Sequence, residues 1–233
     1  MTLLGIETST TVCAAAVVRD GLVLAEELVD ERNVHAERLM GMIDTAFQRS
    51  GTTLEDVAGI AVSIGPGSFT GLRIGLSVAK GFAYASGKNI IPVPTLLGLA
   101  QKTIDAGEDP PDELILPLLD ARRGDVYCAL YRRAGGRLVQ EWDQQIMPLA
   151  SVVEAIHGRK LLVTGDARHM LEDVIRRRFP ERLQSVRIAA EDVARCSASA
   201  VARVGEEMLG QGKTSDAGLL EPQYLRDFLT TTH

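Results

Sequence analysis

Residues 65 to 75 read Gly65-Pro66-Gly67-Ser68-Phe69-Thr70-Gly71-Leu72-Arg73-Ile74-Gly75, and they follow a short apolar run whose Ile60, Val62 and Ile64 mark a buried strand. The spacing predicts strand, glycine turn and then a helix from Ser68 to Ser86. Along that helix Gly71, Gly75, Ala79 and Ala83 recur every fourth position, which lines small residues up on one side. Each interior glycine weakens a helix by about 1 kcal/mol relative to alanine. A tertiary partner must therefore compensate by close backbone approach, and spacing alone leaves open whether it is an internal sheet, another helix or a second polypeptide. The loop lacks the Lys-Ser/Thr pair of a Walker loop, and its third glycine comes one residue too late for the dinucleotide fingerprint.

The rest of the chain punctuates cleanly. Leu3 to Thr8, Val12 to Arg19 and Leu22 to Val29 predict a three-strand meander, with Asp20-Gly21 as the second turn. Asn33 is the expected cap of a helix running to Arg49, and Thr52 to Glu55 the expected capping box of a short turn. Strands follow at Ala58 to Ile64 and Asn89 to Val93, and a helix begins near Thr95. Past a polar, proline-bearing segment at 108–112, strands are expected at Leu114 to Leu119, Val126 to Tyr131, Leu138 to Ile146 and Lys160 to Thr164. Helices are expected at Leu149 to Ile156, Ala167 to Arg178 and Asp192 to Leu209. The second half repeats the element order of the first, a sign of duplication at the level of architecture. The expected fold is α/β with two lobes, 1–94 and 95–233. The plan resembles the actin, Hsp70 and sugar-kinase superfamily, with ribonuclease-H-like lobes.

The net charge of -6 over 233 residues and a pI near 5.3 argue against a chain that grips a nucleic-acid backbone unaided. Arg122-Arg123, Arg132-Arg133 and Arg176-Arg177-Arg178 are local exceptions that read as solvated faces. Three dispersed cysteines, Cys13, Cys128 and Cys196, suggest neither a disulfide framework nor a zinc ribbon. No basic leader or membrane-length apolar run is visible, so a cytoplasmic setting is expected.

Four stretches carry a specific resemblance: Gly5-Ile6-Glu7-Thr8-Ser9-Thr10, the segment from Gly65 to Gly75, Asp120-Ala121-Arg122-Arg123-Gly124-Asp125-Val126-Tyr127, and Pro222-Gln223-Tyr224-Leu225-Arg226. Together they resemble the bacterial TsaB (YeaZ) family nearly end to end. The resemblance implies a non-catalytic subunit in making threonylcarbamoyladenosine beside the anticodon of tRNAs that read ANN codons. It implies a heterodimer with the longer catalytic paralogue TsaD, an ATPase called TsaE joining that pair, and a homodimer when the partner is absent. ATP or ADP and a metal ion are then expected on the partner or at the shared interface, with none bound by this chain alone.

The residues allow a test of that implication. The paralogue binds metal through H-x-E-x-H, whereas this helix reads His35-Ala36-Glu37-Arg38-Leu39, and a leucine cannot ligate. Neither H-E-x-x-H nor G-x-S-x-G is present, so peptidase and serine-hydrolase readings have little support. The expected partner interface comprises His35, Leu39, Met42, Ile43, Leu72, Arg73, Gly75, Leu76 and Ala79. A candidate phosphate loop comprises Glu7, Thr8, Ser9, Gly65 and Gly67, the site a small-molecule kinase or ATPase of the superfamily would use. A Ser/Thr-rich turn is the plainer account of those hydroxyls. Asp120, Arg122 and Asp125 read as a charged turn between strands.

Overall fold

The computed structural model describes residues 1–108, 113–156 and 158–225. Most of the segment at 108–112, together with His157 and Arg226, lies outside the described residues. The first lobe opens on β1 (Thr2–Glu7), β2 (Val12–Arg19) and β3 (Leu22–Asp30), then α1 (His35–Ser50), β4 (Gly59–Gly65), α2 (Phe69–Ser86) and β5 (Asn89–Pro94). Asp20 and Gly21 take φ of 50° and 76°, the left-handed pair a tight hairpin requires. After α3 (Thr95–Asp105) the second lobe runs β6 (Leu114–Asp120), β7 (Asp125–Ala134), β8 (Arg137–Pro148), α4 (Leu149–Ala155), β9 (Leu161–Thr164), α5 (Arg168–Arg178) and β10 (Val186–Ile188). A 3-10 turn at Pro180–Ser185 precedes β10, and α6 (Ala198–Gly210) follows it.

The two sheets have one topology. The first runs β3-β2-β1-β4-β5 and the second, read from its other edge, β8-β7-β6-β9-β10. In each, a meander is antiparallel and the later strands join parallel to its first strand. Such parallel additions need crossover helices, which α1, α2, α4 and α5 supply. This is the duplicated α/β architecture that the repeated element order predicts.

Both faces of the first sheet are covered. Leu39, Ile43, Leu76 and Ala79 from α1 and α2 pack with Leu4, Ile6, Ile60 and Val62 on one side. On the other, Val201, Ala202 and Val204 of α6 meet Leu3, Ala61 and Ile91. A Cβ on Gly205 would lie 2.5 Å from the Ala61 Cβ, so α6 can sit this close only with glycine there. Burial on both faces explains why β1, β2 and β4 are almost continuously apolar. The α3 helix packs on α6 and on β6, where Leu96, Leu99 and Ala100 join Ile115, Leu119 and Tyr131.

Some expectations need correction. The 94/95 boundary separates the strands of the two sheets but not the lobes, because α6 and the segment around Ser215 to Leu220 return to the first sheet. The α6 helix starts at Ala198 rather than Asp192. Ser197 is extended at φ -145°, and its hydroxyl accepts from Ala200 N at 3.2 Å, which sets a fresh helix start. Asn33 does not cap α1: it takes φ of 65°, and Val34 holds the cap position without a side-chain bond. In the 52–55 turn the acceptor is Asp56, whose carboxylate takes bonds from Thr53 N and Oγ1. The three-residue β10 is too short to leave a period in the sequence.

Candidate functional site

A cleft of about 470 Å³ lies between the lobes. The first lobe contributes Ser9, Thr10 and Thr11 from the β1–β2 turn, His35 from the start of α1, and Gly67, Ser68, Thr70 and Gly71 from the start of α2. The second lobe contributes Asp120, Ala121 and Arg122 from the β6–β7 turn, with Tyr127 and Asp166. Topology dictates this meeting, since both hairpin turns and both crossover loops lie at the same ends of their sheets.

Glycine brings the first-lobe wall together. A Cβ on Gly67 would lie 2.1 Å from the Ser9 carbonyl oxygen and one on Gly71 2.1 Å from that of Thr8. The turn can therefore press on the loop, and Ser68 N donates to Ser9 O at 2.7 Å. Ser68 also caps α2, its Oγ accepting from Gly71 N at 3.2 Å.

Behind that wall Glu7 is buried. Its Oε1 accepts from Ser9 N at 2.6 Å and from Ser9 Oγ, and its Oε2 from Ser63 Oγ. Burial pushes the Glu7 carboxyl above the usual carboxylate range, against the hydrogen bonds from Ser63 and Ser9. Burial, with the Glu7 charge adding to it, also pushes the Cys13 thiol up to about 11. Thr8 is fully buried, and a Cβ on Gly75 would meet its Oγ1 at 2.2 Å. Gly65 is covered in turn by the carbonyl of Gln223. Of the candidate phosphate loop, then, Ser9 and Gly67 line the cleft. Glu7, Thr8 and Gly65 lie beneath its surface and hold it in place.

The second-lobe wall is built differently. Asp166 Oδ1 accepts from Asp120 N at 2.8 Å, and Asp120 Oδ1 accepts from Arg122 N at 2.7 Å. Arg122, Arg123 and Gly124 take φ of 69°, 58° and 84°, three consecutive left-handed residues. Asp166 as a residue opens to solvent, yet the enclosure around its carboxyl raises its pKa. The charged turn read from Asp120, Arg122 and Asp125 is thus a turn that also forms one wall of the cleft.

The expected interface residues divide sharply. Leu39, Ile43, Leu72, Leu76 and Ala79 are at most 4% exposed, and Gly75 is pinned on Thr8. The small-residue stripe packs against this chain's own β1 and β4, so it cannot meet a partner in the folded chain. Buried His35 sets its Nε2 3.1 Å from the Val12 carbonyl oxygen. Met42 is half-buried against the core, whereas exposed Arg73 lies 3.8 Å over the Phe69 ring, its Nε donating to Tyr224 Oη at 3.1 Å. Among the described residues no group of three or more His, Cys, Asp or Glu side chains is placed to hold a metal.

What α1 and α2 leave uncovered is another face, which the sequence reading missed. Met40 is 52% and Tyr84 91% exposed, and a Cβ on Gly41 or Gly81 would meet nothing within 4 Å. The signal was the register: Gly81 and Tyr84 fall outside the four-residue series of buried small positions.

Comparison with known proteins places this arrangement. The family model described as TsaD, tRNA N6-adenosine threonylcarbamoyltransferase, matches residues 29–230. The Escherichia coli tRNA threonylcarbamoyladenosine biosynthesis protein TsaB is 30% identical over 97% of this chain and 95% of its own length. Its Bacillus subtilis counterpart of the same name is 34% identical over 75% and 77%. The structure of YeaZ from Pseudomonas aeruginosa superposes with a TM-score of 0.82 at 26% identity, covering 96% of this chain and 99% of that one. The chain therefore belongs to the family that the TsaD model describes and stands within it among the TsaB (YeaZ) proteins.

Proposed function

We propose that the chain acts in tRNA threonylcarbamoyladenosine biosynthesis as an accessory subunit, binding a TsaD-like catalytic paralogue through the outer face of α1 and α2. The observation that carries this reading is the outward exposure of Met40 and Gly41 on α1 and of Gly81 and Tyr84 on α2, two helices in contact. Bare glycine backbone beside a 91% exposed tyrosine suits close helix packing with a large anchoring side chain. The same face would pair with a second copy when the paralogue is absent. A TsaE-like ATPase completes the assembly, and tRNA reaches this chain through the complex. Chemistry belongs to the partner, where the metal ligand that Leu39 replaces here would be intact.

Gly81→Leu is the test. Its side chain has open space in the folded chain, so circular dichroism and the melting temperature should match wild type. Light scattering of the variant mixed with the paralogue should show at least a tenfold loss of heterodimer affinity. Wild-type affinity in that variant would remove α2 from the interface.

The cleft favours a second reading, in which a nucleotide sits against Ser9, Gly67 and Ser68 at the start of α2. Calorimetric titration of the isolated chain with ADP and magnesium separates the two. Micromolar binding would reopen a kinase or ATPase role, and no heat would leave the nucleotide to the partner or the shared interface.

A further inference from the structure

The basic run Arg176-Arg177-Arg178 belongs to neither face described above. It ends α5, a helix that packs on α4. Arg182 Nη1 donates to Val153 O at 2.6 Å, tying the 3-10 turn to α4, and Arg159 follows α4 with its backbone NH on Ile156 O at 3.2 Å. The guanidinium carbons of Arg178 and Arg182 lie 5.9 and 5.8 Å from the centre of the Phe179 ring. That of Arg159 lies 5.7 Å from the Trp142 ring.

Helix dipoles account for part of this. Cations are favoured at helix C-termini, Arg176 pairs with Glu172 at 2.6 Å, and Arg182 is used by the Val153 carbonyl. Arg159, Lys160, Arg177 and Arg178 enter none of the ion pairs among the described residues. Glu154, Asp173 and Glu181 enter none of them either, so unpaired cations outnumber unpaired carboxylates here by four to three. In a chain of net charge -6 that local balance runs against the whole.

We propose that this end of the second lobe is a contact surface for the phosphate backbone of the tRNA. The proposal rests on the functional reading above and adds a place where this chain touches the substrate. Arginine suits that partner better than lysine would, because its planar fork matches phosphate oxygens and stacks on aromatic faces. Contact would be independent of sequence and steeply dependent on salt.

The test measures tRNA affinity against salt for the complex with the paralogue and for the full chain alone, comparing wild type with Arg177→Glu/Arg178→Glu. Reversal of Arg132 and Arg133 on β7 controls for net charge. The proposal expects about tenfold weaker binding at 0.15 M salt and a log–log slope shallower by about two, at about 0.9 per phosphate, in the first variant alone. Equal affinity and slope, equal losses in both variants, or no tRNA binding by wild type would each overturn it. So would retention on anionic vesicles without RNA binding, which would favour a membrane surface. Light scattering of the same samples reports heterodimer formation separately. A complex that assembles with unchanged tRNA affinity removes only this surface, whereas failure of wild type to assemble removes the accessory reading as well.

Discussion

The two lobes share a strand order but not a style of construction. In the first lobe the crossover helices are 16 and 18 residues long, and glycines let α2 press onto the end of β1 while a buried carboxylate braces the hairpin turn. In the second the corresponding helices have 7 and 11 residues, and the turn is held by the half-exposed Asp120 with three left-handed residues. Topology alone therefore does not assign a role. Helices as long as α1 and α2 bury one face in the core and still present another, which the short α4 offers less of.

Gly75→Leu attacks the first-lobe construction most directly. The Cβ alone would lie 2.2 Å from Thr8 Oγ1, so denaturant unfolding should show a loss of 3 kcal/mol or more, at the upper end of overpacking costs. The variant is consequently no probe of the partner interface, and wild-type stability in it would mean that α2 does not lie on β1.

Glu7 gives a smaller effect with a pH signature. Glu7→Ala would leave Ser63 and Ser9 unpaired in the core and should cost roughly 2 to 3 kcal/mol. Since burial raises the Glu7 pKa, the folded state binds its proton more tightly than the unfolded chain does. The stability this contributes is fully present below the unfolded value of 4.5 and is lost as pH rises through the folded value. Glu7→Gln should flatten that decline in melting temperature as pH rises above 4.5. An unchanged slope would show that Glu7 titrates as an exposed carboxylate. Asp166 acts with the same sign in the second lobe, so Glu7→Gln/Asp166→Asn should flatten the profile further.

At the small end, Asp120→Ala removes a hydrogen bond to Arg122 N and an exposed ion pair, and should cost about 1 kcal/mol or less. A loss as large as that of Glu7→Ala would mean that the two turns are braced alike after all.

Much of this was legible in the sequence because it is local. Asp20-Gly21 announced its hairpin, and the spacing of Leu39, Ile43 and Ala46 announced α1. What spacing could not say was which surface a helical face meets: the series Gly71, Gly75, Ala79 and Ala83 reads the same against a sheet as against a partner. The cleft was half visible. Ser9 and Gly67 were found, but Asp166 follows an ordinary strand, and its bond to Asp120 N spans 46 residues. The start of α6 was missed for a similar reason. Residues 192 to 196 have helical composition, yet Arg195 pairs with Asp30 from the far side of the chain.

The return of α6 to the first sheet has a consequence for synthesis. Strands β1 and β4 leave the ribosome early, but the surface carrying Leu3, Ala61 and Ile91 stays bare until residues 198–210 emerge. The lobe begun first is finished last. A nascent chain stalled before Ser197 would hold a completed second sheet beside a first one with an oily, uncovered back, which is the state that chaperones recognise and that aggregation exploits.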